Sequence, residues 1–320
     1  MIYHGNCHCG RYRFDLRVDG NGEAGDNKST TVTGQSLIPT VACSCVICTK
    51  LGCLWHVLAQ SEQLVETSRG TSDSTQLTGD NDAETQTRAT ASLLSSPLLT
   101  TFSSSPIRYA FCSDCGTGVF GIHVKGPLAG QTLVNLHTIR GLNPFDYAKA
   151  SGNFEGDSSE GPGAPEGDAA AAAEALPTTG ACLCGSVSVE LRAPLADVPL
   201  KEDNCSICTR NAWLGAYPRR AEVLVHGAEH TRDYRFGRRF MGHPFCTTCG
   251  AHIFMNVYGP PAEVVARLPE ARRAMVAQNL DMQPINVRML DGIGQYLGQL
   301  AVERTDEGTG GYEQDVLGMA

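Results

Sequence analysis

The sequence feature that most restricts the fold is a cluster of three cysteines within six residues, Cys43, Cys45 and Cys48. In a reduced protein this spacing indicates a metal site, because zinc prefers four tetrahedral ligands and thiolate is a favoured donor. Three local thiolates make either an incomplete structural site or a site with one open position, which a catalytic zinc requires. The triad therefore predicts a zinc site whose fourth ligand has to be identified.

Four sequence blocks occur twice in the same order, which indicates an internal repeat. Residues 5–10 and 180–185 both read G-x-C-x-C-G. Residues 45–50, 111–116 and 134–137 are matched in turn by residues 205–210, 245–250 and 285–288. With only two copies, each far longer than a solenoid unit, the pattern predicts duplicated domains.

The repeat and the composition between its blocks predict the domain boundaries. We expect a first zinc domain over residues 1–147, with a disordered insertion at about 68–97 that is rich in Ser, Thr, Asp and Gly. We expect a Gly/Pro/Ala-rich linker over 148–179, a second zinc domain over 180–300 and a loose tail over 301–320. Short alternating segments with frequent Gly and Pro predict a mainly β fold.

The outer cysteine pairs can form closed four-cysteine zinc sites. Each pair is followed by glycine, which permits the tight turn of a metal-binding knuckle. The predicted sites are Cys7, Cys9, Cys112 and Cys115 in the first repeat, and Cys182, Cys184, Cys246 and Cys249 in the second. The triad is then left with an open position, and we expect Cys53 to be a small buried hydrophobic residue.

The second repeat departs from the triad. Alignment of Cys205 with Cys45 and of Cys208 with Cys48 places Asp203 opposite Cys43. Aspartate binds zinc through oxygen and is a harder ligand than thiolate. The second-repeat site therefore binds metal weakly, binds it through Asp203, or stays empty, and we expect this copy to be the less active one.

Composition restricts the partners and the compartment. The net charge of −9 and the pI of about 5.5 argue against a dedicated binder of nucleic acid or anionic membranes. The sequence has no apolar run of membrane-spanning length and no secretory signal, so we expect a cytoplasmic protein, with the nucleus as the alternative. In such a compartment 14 cysteines favour metal binding over disulfides.

The ordered motifs G-x-C-x-C-G, C-x-C-x-x-C-x-[KR], F-C-x-x-C-G and [VI]-N-[LV]-[HR] resemble the glutathione-dependent formaldehyde-activating enzymes, a family that includes the centromere-protein-V group. The resemblance implies two tandem β-tent domains. It implies that the first-repeat quartet is a structural zinc site and that Cys43, Cys45 and Cys48 hold a second zinc, where glutathione chemistry is proposed. Asp203 and the tandem arrangement depart from the single-domain enzyme.

The predicted activity is that of a carbon–sulfur lyase, which forms or breaks adducts of an aldehyde with glutathione or another small thiol. An open thiolate-bound zinc lowers the pKa of an incoming thiol, and the thiolate adds to the carbonyl. Candidate partners of the glutathione carboxylates are Lys50, Arg11, Arg13 and Arg108, candidate acids or bases are His56 and His137, and Trp55 and Trp213 are expected in the core. The alternatives are a non-catalytic zinc-binding interaction module and a thiol oxidoreductase.

Overall fold

The computed structural model describes residues 1–18, 31–32, 35–36, 38–59, 61–68, 76–77, 94, 96–147, 152–154 and 176–307. The chain divides into two compact units. The first comprises Met1–Ser159, Asp203–Ala212 and Asp306–Ala320, and the second comprises Glu160–Glu202 and Trp213–Thr305. The units do not coincide with the two sequence repeats, because residues 203–212 of the second repeat belong to the first unit.

Antiparallel sheets dominate the first unit. One sheet has the order β1-β2-β7-β8, a larger one has the order β13-β5-β6-β12-β11-β10-β9, and β3 and β4 form a hairpin. The strands are β1 (Ile2–Asn6), β2 (Arg13–Arg17), β3 (Thr31–Val32), β4 (Gln35–Ser36), β5 (Val41–Cys43), β6 (Leu54–Val57), β7 (Gln63–Glu66), β8 (Gln76–Leu77), β9 (Leu99–Ser103), β10 (Ile107–Cys112), β11 (Gly118–His123), β12 (Thr132–Asn135) and β13 (Gly152–Phe154).

Aromatic side chains contribute a large part of the core of the first unit. The ring of Phe14 packs edge-on against Phe120 at 5.1 Å and covers Gly5, where a Cβ atom would lie 2.1 Å from the ring. Tyr12 packs against Phe120 at 5.7 Å, and Trp55 is fully buried. Apolar side chains at alternate positions of β2 supply this interior, as the two-residue period of a strand requires.

The described part of the first unit contains the short helices α1 (Val46–Leu51), α2 (Pro144–Tyr147) and α3 (Ser206–Arg210). Helix α1 begins after Cys45, whose Sγ accepts a hydrogen bond from the backbone N–H of Cys48 at 3.5 Å. It ends at Gly52, which adopts the left-handed conformation with φ 60° that favours glycine. The C-x-x-C spacing therefore places one cysteine at the helix cap and the other in its first turn.

Residues 176–202 and 213–305, which are the described part of the second unit, form three smaller sheets and two helices. The sheets have the orders β14-β15-β18, β22-β17-β16-β23 and β19-β20-β21. Their strands are β14 (Thr179–Ala181), β15 (Ser188–Leu191), β16 (Leu200–Asp203), β17 (Leu214–Ala216), β18 (Val223–His226), β19 (Thr231–Tyr234), β20 (Met241–Cys246), β21 (Asn256–Val257), β22 (Ile285–Asn286) and β23 (Val302–Thr305). Helix α4 (Ala262–Val265) is followed by α5 (Glu270–Leu280), which begins after Pro269.

The mainly β fold predicted from the sequence is confirmed. Most of the predicted insertion at 68–97, most of the linker at 148–179 and residues 308–320 lie outside the described residues, and the domain boundaries stay a prediction. Strand β23 forms at the start of the segment predicted to be a loose tail. Within the described part of the chain, no helix is long and apolar enough to cross a membrane.

Candidate metal centres

The first centre is formed by the two outer cysteine pairs of the first repeat. The four Sγ atoms lie within 4.8 Å of one another and belong to Cys7, Cys9, Cys112 and Cys115. The knuckles close through hydrogen bonds from Gly10 N–H to the Cys7 carbonyl and from Gly116 N–H to the Cys112 carbonyl, both at 2.9 Å. Both glycines have positive φ, at 72° and 73°, so each closes a turn that a side chain would strain.

The spacing of these sulfurs fits a zinc ion. A tetrahedron with Zn–S bonds of about 2.3 Å has edges of about 3.8 Å. The observed Sγ–Sγ distances are 3.4 Å between Cys7 and Cys9 and 3.7 Å between Cys9 and Cys112, and no disulfide joins them. The predicted pairing of the outer motifs is therefore found in the structure as a donor set suited to structural zinc.

The second repeat contains an equivalent four-cysteine centre. Its sulfurs also lie within 4.8 Å of one another and belong to Cys182, Cys184, Cys246 and Cys249. The Sγ atom of Cys184 is 3.4 Å from that of Cys182 and 3.5 Å from that of Cys246. The backbone N–H of Val187 donates to Cys182 Sγ at 3.3 Å, as Tyr12 N–H does to Cys7 in the first repeat. The two quartets are thus built in the same way.

The predicted triad is completed by a histidine. Cys43, Cys45, Cys48 and His123 place one donor atom each within 4.8 Å of the others, and all four residues are buried. The Nε2 atom of His123 lies 3.5 Å from Cys48 Sγ. Bonds of about 2.3 Å to sulfur and about 2.0–2.1 Å to nitrogen give a tetrahedral S–N edge of about 3.6 Å, so this set of three cysteines and one histidine fits zinc.

His123 is absent from the site residues predicted from the sequence. The histidines predicted from the sequence are His56 and His137, and the fourth position is predicted to be open, although His123 lies only eight residues after Cys115. His123 ends strand β11 and lies three residues after Phe120. In the second repeat the residue three positions after the matched Phe254 is Val257, which has no metal-binding atom. This difference between the repeats was the available signal.

Hydrogen bonds to the sulfurs of the triad shift the pKa values of its thiols. Trp55 Nε1–H donates to Cys48 Sγ at 3.2 Å, and Cys45 Sγ accepts the amide of Cys48. Hydrogen bonds from Cys45 and Cys48 hold the pKa of Cys43 well below its usual range, with a further contribution from His123. The pKa of Cys48 is raised by its hydrogen bonds to Cys43 and Cys45 and by burial. The three sulfurs are thus close enough to share hydrogen bonds with one another.

The second-repeat counterpart of the triad has three donors. Asp203, Cys205 and Cys208 place their ligand atoms within 4.8 Å of one another. Cys208 is buried, whereas Asp203 and Cys205 are partly exposed. The side chain of Cys205 makes no capping hydrogen bond to helix α3, unlike that of Cys45 at α1. The backbone N–H of Glu307 donates to Asp203 Oδ1 at 3.2 Å.

Helix α3 is held by buried polar contacts within the first unit. Arg210 is 2% exposed and donates from Nε to the Asn6 carbonyl at 3.1 Å and from Nη1 to the His137 carbonyl at 2.7 Å. His8 Nε2 lies 3.0 Å from Ser206 Oγ. These contacts connect the knuckle of the first four-cysteine centre to the helix that carries Cys208.

The proposed acid–base histidines make buried structural contacts. His56 Nε2 lies 2.7 Å from Glu62 Oε2, and both side chains are buried. His137 Nε2 lies 3.0 Å from the Gly52 carbonyl. Neither belongs to a group of metal donors found among the described residues. Trp55, Trp213 and Cys53 are buried, as expected for core residues.

The candidate carboxylate-binding residues are dispersed. Arg11 forms an ion pair with Asp114, and Arg13 Nε donates to the Gly10 carbonyl at 2.7 Å. Arg108 is exposed on strand β10, and Lys50 is partly exposed in the last turn of α1. Arg11 and Arg13 thus contact the knuckle of the first four-cysteine centre, and a role in glutathione binding stays a prediction for all four.

Comparison with solved structures finds a weak similarity. A crystal structure of a Rhodobacter sphaeroides protein, a structural genomics target, is 28% identical to this chain. The match covers 40% of this chain and 99% of that protein, with a TM-score of 0.29, which is too low to bear on fold or function. No family model matches, and no curated protein matches. The cysteine clusters are compatible with zinc sites, and the family assignment stays a prediction.

Proposed function

We propose that this chain is a zinc-dependent carbon–sulfur lyase that forms or breaks glutathione–aldehyde adducts of the S-hydroxymethylglutathione type. The observation that supports this proposal is the presence of a thiolate-rich donor set at a helix N-terminus in each repeat, in addition to a closed four-cysteine centre. A chain that needed zinc only for stability would have sufficient sites in the two quartets. The additional sets are where exchange chemistry is expected.

When bound, zinc would lower the pKa of a thiol and make its thiolate available at neutral pH. The chain's own residues hold the donor sulfurs in place. Trp55 donates a hydrogen bond to Cys48, and the first turn of α1 donates one to Cys45. Hydrogen bonds of this kind stabilise the thiolate form and fix its direction. Trp55 and the first turn of α1 are therefore positioning elements for the sulfurs of Cys48 and Cys45.

The two donor sets that are present in addition to the quartets differ in their number of protein ligands. Cys43, Cys45 and Cys48 are joined by His123, so a thiol could enter this set only if a protein donor left. Asp203, Cys205 and Cys208 form a set of three, which is the number of protein ligands typical of a catalytic zinc. The sequence expectation of catalysis at Cys43, Cys45 and Cys48 stays a prediction, and both sets have to be tested.

A non-catalytic zinc-binding interaction module is the second candidate. It is favoured by the three centres with four donors each, because sets of four cysteines, or of three cysteines and a histidine, are those of structural zinc. On this alternative the metals stabilise a small-sheet fold that presents a surface to a partner. The two functions differ in one measurable property, which is the turnover of the adduct.

Exchange spectroscopy by NMR tests the proposal. The rate of exchange between free glutathione and its formaldehyde adduct is measured with the zinc-loaded chain and with single Cys45→Ala and Cys208→Ala variants. Cys53→Ala is the matched control, because Cys53 is buried but belongs to no donor set found among the described residues. We expect acceleration by the wild type and by Cys53→Ala, and loss of it in at least one ligand variant. Exchange at the uncatalysed rate with every protein would refute the lyase.

A further inference from the structure

We propose that the centre formed by Asp203, Cys205 and Cys208 holds a metal ion with an exchangeable fourth position, and that this position takes the small thiol. The identity of the ligand rests on the proposed function, whereas the open position does not. The sequence alone favours the first repeat for this role. The structure points to the second because of differences in donor number, donor type and access.

Donor number is the first difference. The triad of the first repeat is completed by His123 Nε2 at 3.5 Å from Cys48 Sγ. The second-repeat set contains three donor atoms within 4.8 Å of one another, counted over the part of the chain that the structure describes. The residue that matches His123 in the repeat is Val257, which cannot bind a metal. The histidine that would close the second centre in the manner of the first is therefore absent from the matched position.

Donor type is the second difference. Asp203 replaces a thiolate by a carboxylate, which is a harder and weaker ligand for zinc. A divalent zinc ion with two thiolates and one carboxylate carries a net charge of −1, which is the same charge as with three thiolates. A set of this kind keeps the ion but binds it less tightly than the quartets. An added thiolate would give the ion a third sulfur and strengthen the set.

Access is the third difference. Cys43 and Cys45 are each 9% exposed, and Cys48 is 1% exposed. In the second-repeat set only Cys208 is buried to this extent, and Asp203 and Cys205 are partly exposed. The sulfur of Cys205 makes no capping hydrogen bond. Two of the three donors of the second centre are thus partly exposed, whereas all four donors of the first centre are buried.

The second centre is also held in place without a metal. Arg210 and Ser206 fix helix α3 through the Asn6 carbonyl and His8, and Asn204 Nδ2 donates to Asp306 Oδ1 at 2.5 Å. The Asp203 carboxylate is fixed by the Glu307 amide. An open position needs such support, because three ligands on a mobile loop would rearrange to capture a fourth.

Cobalt substitution tests the inference without measuring activity. The full chain is depleted of zinc under reducing conditions, loaded with cobalt(II) and titrated with glutathione and with 2-mercaptoethanol. Each new sulfur–cobalt bond adds charge-transfer absorbance in the near ultraviolet. We expect the absorbance to rise by the increment of one sulfur per chain in the wild type and in the double variant Cys45→Ala/Cys48→Ala, whose first centre keeps only two donors, and to stay unchanged in Cys208→Ala. Metal analysis should give four ions per chain in the wild type and three in Cys208→Ala, if each of the four donor groups found among the described residues holds one ion.

The outcomes separate this inference from the proposed function. If Cys208→Ala does not fold, Cys205→Ala replaces it, with circular dichroism as the check on folding. A thiol response that is lost in Cys45→Ala/Cys48→Ala and kept in Cys208→Ala overturns the inference, and so does the absence of any response in the wild type. A response at the second centre without accelerated adduct exchange supports the inference and refutes the lyase. If the wild type and Cys208→Ala accelerate adduct exchange equally, the lyase is supported and the inference about the second centre is refuted.

Discussion

Replacement of Arg210 by methionine should reveal how strongly the buried guanidinium holds helix α3. Arg210 is 2% exposed and donates to the carbonyls of Asn6 and His137. Methionine keeps most of the side-chain volume, so the cavity contribution stays small. The main change is the loss of two donors to buried carbonyl groups.

The magnitude follows from those two hydrogen bonds. A buried acceptor left without a donor costs about 1–3 kcal/mol, so two would cost about 2–6 kcal/mol. Removal of a cation from the interior returns part of this, because burial of a charge is itself unfavourable. We therefore expect Arg210→Met to lower the free energy of unfolding by about 3 kcal/mol, a large share of the roughly 5–15 kcal/mol of a typical domain.

Urea denaturation of the zinc-loaded chain, followed by circular dichroism, measures this change. Arg267→Met is the matched control, because Arg267 is exposed between helices α4 and α5, and we expect it to change the stability by less than about 0.5 kcal/mol. A midpoint for Arg210→Met that equals that of Arg267→Met would refute the reasoning. It would mean that water or another donor satisfies both carbonyls.

Three further predictions concern the removal of zinc, the protonation of His243 and the contact between Ser206 and His8. Removal of zinc by a chelator under reducing conditions should lower the thermal midpoint of the whole chain, and an unchanged midpoint would show that the donor sets are not occupied. Burial lowers the pKa of His243 to about 4, below the usual 6.5, so its contribution to stability is complete above pH 6.5 and falls by about 3 kcal/mol down to pH 4. The difference in unfolding free energy between wild type and His243→Phe should show this slope, and parallel pH curves would contradict it. Ser206→Ala removes the contact with His8 and should speed the release of one metal ion to a chelator, whereas equal release rates would show that the contact does not support the second centre.

The sequence predicted those donors that are close together along the chain. The knuckles Cys7–Cys9 and Cys112–Cys115 follow from local spacing and glycine, and the structure brings them together. His123 could not be found in this way, because it is 75 residues from Cys48 in the sequence. It lies beside Cys48 only because β11 pairs with β12 and β12 pairs with β6. No local motif specifies that pairing. Strand β23 was missed for the same reason, since its order depends on its neighbour β16 in the sheet.

The contacts of Arg210 and Ser206 show a second limit of sequence reasoning. The repeat assigned helix α3 to the second domain, yet its side chains bond to Asn6, His8 and His137 of the first repeat within one compact unit. A sequence repeat identifies which residues of the two copies correspond. It does not determine whether a segment packs against its own copy or against the other one. Only long-range contacts determine that choice, and they leave no periodic signal in the sequence.

Duplication can separate stability from ligand exchange. In the first repeat, a histidine donor and an N-cap hydrogen bond to Cys45 both reduce the freedom of the triad. In the second, Asp203 replaces a thiolate, Val257 replaces the histidine, and Cys205 has no capping bond. Each of these three changes weakens retention of the metal or opens its coordination, and none of them alters the quartets. If they served no purpose, restoring the thiolate with Asp203→Cys should raise the affinity for zinc and leave thiol binding unchanged. If the centre exchanges ligands, the same variant should retain its metal longer and bind the added thiol more weakly, because the ion already has three sulfurs.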